Sequence, residues 1–213
     1  MQWSAQKTRM APTEGNSQGG AFMFRLISGC VLSLALAVST PALGQDAGTP
    51  QGPPGLRGDL LMSLGFLQQQ ILSLEEAMPQ AKFTWRPKKG VRSVAELYLH
   101  IAGGIYYLTG AMGREIPPDV QSLMKANKWE SQTTKKDEIK TILTTAFAHL
   151  RNAILETDDA TLDKQYSLMG REVSGRLLLI GPQFHSAEHL GQAIAYARIN
   201  GVAPPWSKGK AEN

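Results

Sequence analysis

Cysteine is nearly absent from the chain: among 213 residues only Cys30 carries a thiol. One thiol excludes an internal disulfide. Because it stands in an apolar leader, it also removes cysteine nucleophiles and thiolate metal ligands from everything downstream. No apolar run reaches the roughly 20 residues that span a bilayer comfortably. Strand-like alternation is scarce, so the apolar positions argue for an all-α class. No glycine-rich phosphate loop, dinucleotide fingerprint or nucleophile elbow occurs. Neither sign of charge dominates, with 22 Lys and Arg against 18 Asp and Glu. Loss of a leader containing Lys7, Arg9, Arg25 and Glu14 would lower the net charge from +4 to about +2. Without a concentrated basic stripe, nucleic acid is not expected as a partner. Lys88-Lys89 and Lys135-Lys136 read as solvated pairs.

The N-terminal part reads as an address rather than a fold. Met23-Phe-Arg25 precedes the apolar run Leu26 to Val38, and small residues at Ala42 and Gly44 follow. That pattern predicts a signal peptide cut after Gly44, with export to the periplasm or medium. Residues 1–22 are then a polar extension before a start at Met23. Ile27-Ser-Gly-Cys30 resembles a lipid-acylation box, yet most of the apolar run follows Cys30, so plain export is favoured over a lipid anchor. Residues 45–58 form a Gly- and Pro-rich linker. Its Gly52-Pro-Pro-Gly55 mimics collagen triplets, but two repeats cannot sustain a triple helix. The folded domain is expected over 59–206, with a polar tail at 207–213 and no stable membrane span.

Four long helices are predicted. Leu60, Leu61, Leu64, Leu67, Ile71 and Leu74 recur at helical spacing over about Asp59 to Met78. The second helix opens at the capping box Ser93-x-x-Glu96 and carries Leu97, Ile101, Ile105, Leu108 and Met112 inward. Gly103-Gly104 weakens it and permits close approach of a neighbour. A short helix is expected near Val120 to Lys125. The third long helix starts at Thr134-x-x-Asp137 and continues past Ile154. Tyr166 to Arg171 reads as a connection, and the fourth helix runs from about Val173 to Ile199 with a kink at Gly181-Pro182. An up-down four-helix bundle is the natural way to bury four such stripes.

Histidine is scarce too, and its placement carries the chemistry. His100 lies in the apolar stripe of helix two; His185 and His189 are four apart on helix four and so project to one side. Three imidazoles brought together from two helices could hold a divalent metal and leave a position for water or substrate. The alternative is that all three are satisfied core residues. Gln192 and Tyr196 extend the line of the pair and are candidate pocket residues. Glu188 completes His-x-x-Glu-His, the signature of inverted zinc peptidases. That class needs a downstream acidic ligand, and only Glu212 follows His189, so it is rejected. Glu188 is left as a base, as an acceptor behind His185, or as a solvated partner of Arg176 or Arg198. His149 reads as a packing residue, and Trp85 and Trp206 as caps on the bundle ends.

At these residues the chain resembles the DinB superfamily. The matching pieces are Trp85-Arg-Pro87, Ser93-Val-Ala-Glu-Leu-Tyr-Leu-His100-Ile, and His185-x-x-x-His189-x-Gly191-Gln192 with Arg198, Gly201 and Pro204-Pro205. The resemblance implies a four-helix bundle whose divalent metal is ligated by His100, His185 and His189; Zn, Ni, Mn and Fe are all compatible with three imidazoles. It further implies metal-dependent transferase or isomerase chemistry on low-molecular-weight thiols such as mycothiol or bacillithiol, and homodimers are common. Export counts against an intracellular thiol, so a hydrolase or lyase role on another small molecule gains. The competing expectation is a non-catalytic binding or stress-related helical module.

Overall fold

The computed structural model describes residues 53–207. The signal peptide, its cut after Gly44, Cys30, most of the linker and the end of the tail lie outside the described residues. The described chain is mostly helical.

Helix α1 (Leu56–Ala77) buries Leu60, Leu61, Leu64, Leu67, Ile71 and Leu74. It begins three residues before the expected Asp59, behind Gly55 at φ 79. Helix α2 (Val94–Ala111) starts at a closed capping box: Glu96 N–H donates to Ser93 Oγ at 3.2 Å, and Ser93 N–H to Glu96 Oε2 at 2.7 Å. It is buried on several sides, from Leu97 and Tyr98 through Leu99 and Ile101 to Tyr106. Helix α3 (Pro118–Lys125) is short and opens with proline, whose missing N–H costs nothing there.

Helix α4 (Lys136–Glu156) carries Ile139, Leu143, Phe147, Leu150 and Ile154 inward. Its expected cap at Thr134 and Asp137 does not form. Gln80, from the turn after α1, accepts the Lys136 N–H at 2.8 Å and donates to Thr134 O at 2.9 Å. A distant amide therefore supplies what the local hydroxyl was expected to give.

Helix α5 (Asp159–Asp163) leads into strands β1 (Gln165–Leu168) and β2 (Arg171–Ser174), paired antiparallel with Leu168 opposite Arg171. This hairpin corrects the connection expected over Tyr166 to Arg171. Four-residue strands leave too few alternating positions for the pattern to register. The last helix, α6 (Gly175–Ile199), is capped by Ser174, starts two residues after the expected Val173, and continues through Pro182.

Helix α2 packs against α4 and α6, and α1 packs against the same two. One apolar core runs between the four long helices. Beside α2 lies a single 3-10 turn, Trp129–Ser131, whose indole donates to Leu99 O at 2.6 Å. A β-carbon at Gly103 would lie 2.6 Å from that indole nitrogen, so glycine is what admits the turn. Among the described residues no helix is long and apolar enough to cross a membrane.

Candidate metal centre

His100 of α2 meets His185 and His189 of α6 between the two helices. One ring nitrogen from each lies within 4.8 Å of the others. The ring centroids are 4.6 to 4.9 Å apart, with mutual tilts of 53°, 74° and 89°. His100 Nε2 and His185 Nε2 are 3.1 Å apart. The approach is possible because position 104 has no side chain. A β-carbon there would lie 2.2 Å from His185 Cε1 and 2.4 Å from Nδ1. The two adjacent glycines therefore admit two different neighbours, an indole and an imidazole.

Each outer nitrogen has its own surroundings. His100 Nδ1 is 2.6 Å from Glu130 Oε1. Arg92 holds that carboxylate from the other side, with Nε donating to Oε2 at 2.7 Å and Nη2 to Oε1 at 3.0 Å. Burial pushes the Glu130 carboxyl up, but hydrogen bonds from His100 and Arg92 outweigh it and bring the value down to about 2. An ionised Glu130 accepts from the His100 Nδ1–H, and in the neutral form of that ring the lone pair is then on Nε2. His189 Nδ1 is 3.1 Å from Gln192 Oε1. Gln192 Nε2 donates to Tyr196 Oη at 2.8 Å, and the Tyr196 hydroxyl donates to Arg92 O at 3.1 Å. Trp85 meets Tyr196 edge to face at 5.3 Å. Among the described residues, the buried His185 Nδ1 has no hydrogen-bond partner.

Burial, followed by the neighbouring imidazoles, holds His185 down to about 4. His189 is lowered as well, chiefly by burial, although Gln192 pulls it back part of the way. Burial thus favours the neutral ring at both His185 and His189, the state in which nitrogen can ligate. Three imidazole nitrogens, no sulfur, and a carboxylate behind one ring form a donor set that fits a borderline divalent cation.

Other expected residues fall elsewhere. Gln192 and Tyr196 form the chain behind His189 and do not line the cavity over the cluster. Glu188 is exposed, and its carboxylate makes no hydrogen bond or ion pair among the described residues. Its expected partner Arg176 pairs instead with Asp163 at 2.7 Å. His149 packs in α4 against Tyr106, 2.9 Å from Thr109 Oγ1. Sequence reasoning missed Glu130 and Arg92. The only local signal was a Trp-Glu pair ending a polar excursion, and such a pair carries no information about what it approaches.

A mostly helical fold with three histidines gathered between two helices defines a class, and the comparisons define the family. The DinB superfamily model matches residues 64–193, and the chain belongs to that superfamily. A DinB-like protein from Bacillus cereus ATCC 10987 superposes with a TM-score of 0.61 at 16% identity, over 70% of this chain and 95% of its own. A DinB-like protein from Bacillus subtilis superposes at 0.51 and 19% identity, over 67% and 92%. The mycothiol-dependent maleylpyruvate isomerase reaches 0.51 at 16% identity, over 63% of this chain and 59% of its own. At these identities the likeness is one of fold. No curated protein sequence matches the chain.

Proposed function

We propose that the chain is an exported, metal-dependent enzyme of the transferase or hydrolase type. It is built as an up-down four-helix bundle and acts on a small molecule. His100, His185 and His189 would hold a divalent cation, Zn, Ni, Mn or Fe. The convergence of three imidazoles within 4.8 Å carries this reading. Its support is the orienting partner behind two of them, since outer-sphere acceptors set the tautomer and angle of a ligating ring. When bound, the cation supplies Lewis acidity to a small ligand in its open position.

The remaining roles belong to this chain's own groups. Glu130 keeps the His100 proton on Nδ1, and Arg92 keeps Glu130 ionised. Tyr196, held by Arg92 O, turns the Gln192 amide so that its oxygen faces His189 Nδ1. We assign the orienting work to Glu130 and Gln192 rather than to Glu188, which has no partner among the described residues to fix it. The isomerase named above depends on mycothiol, so a thiol is one substrate head group this site could take. Export counts against an intracellular thiol.

A second reading has its own observation. The 3.1 Å His100–His185 contact is also of hydrogen-bond length, one ring donating to the other, as in a non-catalytic helical binding module. Metal content by inductively coupled plasma mass spectrometry decides between them. The protein would be produced from the full-length sequence without a polyhistidine tag, beside the variant His100→Ala/His185→Ala/His189→Ala. Near-stoichiometric metal in the wild type, lost in the variant, is expected. Metal-free protein that ignores added Zn, Ni and Mn would leave the binding module.

A further inference from the structure

The cluster opens onto a cavity of about 840 Å³, within the range of small-molecule sites, and His100 and His185 form part of its wall. Four charged side chains line it, and they cancel in pairs. Arg86 donates to Glu96 Oε1 at 2.8 Å, and Arg92 is committed to Glu130. No unpaired charge remains on the wall to hold a strongly ionic ligand. The rest of the lining is largely apolar: Tyr107 and Leu108 of α2, Met124 of α3, and Met169 at the hairpin tip.

Met169 is out of place on local grounds. It and Gly170 are the two central residues of the β1–β2 turn, at φ 51 and φ 76. A turn with both φ values positive favours Asn, Asp or Gly at its first position. A methionine in the left-handed region costs roughly 1 kcal/mol, and this one is 85% exposed. The fold thus holds a long, adaptable thioether strained and wet at the cavity rim, where neither turn geometry nor the core requires it.

We infer that the ligand of this site has an apolar body, aromatic or branched alkyl, on a single donor head, and that Met169 with Tyr107, Leu108 and Met124 selects that body. The head group rests on the metal reading above, because it is the cation that would receive it; the body rests on the wall alone. A ligand seated here would cover Met169 and the exposed part of Tyr107, recovering apolar area that is now in water.

The test uses full-length protein loaded with zinc and isothermal titration with two thiols of similar acidity, phenylmethanethiol and 2-mercaptoethanol. Phenylmethanethiol is expected to bind roughly tenfold tighter or more, the scale of burying one ring. Met169→Asn suits the turn better and should keep or raise the melting temperature. It should cut the preference severalfold, and Leu108→Ser should do the same, both with zinc content unchanged. Equal affinities, or a preference untouched by both substitutions, would overturn the inference while bound zinc left the metal reading standing. Protein that takes up none of Zn, Ni and Mn would remove the metal reading and the donor head with it.

Discussion

Replacing Gly104 by alanine should separate the proposed metal site from the fold. The new β-carbon would lie 2.2 Å from His185 Cε1, 2.4 Å from Nδ1 and 3.0 Å from Nε2. The ring must therefore leave the surface of α2, and being half-buried it has a way out. Alanine gains about 1 kcal/mol of helix propensity over glycine. Overpacking costs about 1–3 kcal/mol, so the metal-free protein should change by between zero and about −2 kcal/mol. Metal binding should fall much further. Losing a partner that merely orients a ligand costs about 10- to 100-fold, so losing the ligand itself should cost about 100-fold at the least. At free zinc of about 100 times the wild-type Kd, the wild type gains about 2.7 kcal/mol. That is a rise in Tm of roughly 5–10 °C for a domain of this size. At the same zinc the variant sits near its own Kd and gains about 0.4 kcal/mol, or roughly 1 °C. Scanning calorimetry with and without zinc reads both numbers. A full-sized zinc-dependent rise in Gly104→Ala would refute the placement of His185 as a ligand pressed on α2.

Two further outcomes are expected. Glu130→Gln keeps an acceptor for His100 but removes the charge that Arg92 holds; the zinc dissociation constant should rise roughly 10- to 100-fold by titration calorimetry, and an unchanged constant would count against the orienting role. Glu75, fully buried in α1 with neither oxygen hydrogen-bonded among the described residues, is pushed by burial from 4.5 up to about 7. The folded state thus favours the neutral acid, so this group's contribution is complete below pH 4.5 and is lost as pH rises through about 7. The loss amounts to roughly 3 kcal/mol. Glu75→Met should remove it and be the more stable protein at pH 8 by urea denaturation, with the gap closing at pH 4.5; a gap independent of pH would contradict the burial argument.

The sequence made the helices legible wherever a stripe was long. Six apolar positions in α1 and five in α4 repeat at a period that no other element produces, and Ser93 with Glu96 marked the start of α2 to the residue. The histidines were legible because an i,i+4 pair must share a face and His100 sat inside a stripe. The failures have one cause in common. Gln80 capping α4, Glu130 behind His100, and Arg92 serving both Glu130 and Tyr196 are contacts across 30 to 104 positions, where no periodicity carries information. The hairpin failed for the opposite reason: it is local, but too short for alternation to stand out.

Arg92 precedes the N-cap of α2 by one residue, and it serves the cluster twice, through its guanidinium and through its carbonyl. The orienting partners of two imidazoles therefore converge on one link of backbone, while the third imidazole is governed only by how closely two helices approach. Fraying of the first turn of α2, elsewhere an inconsequential motion, would here loosen Glu130 and Tyr196 in the same event. The Ser93–Glu96 capping box thus acts as a latch whose closure sets the aim of His100 and His189 together.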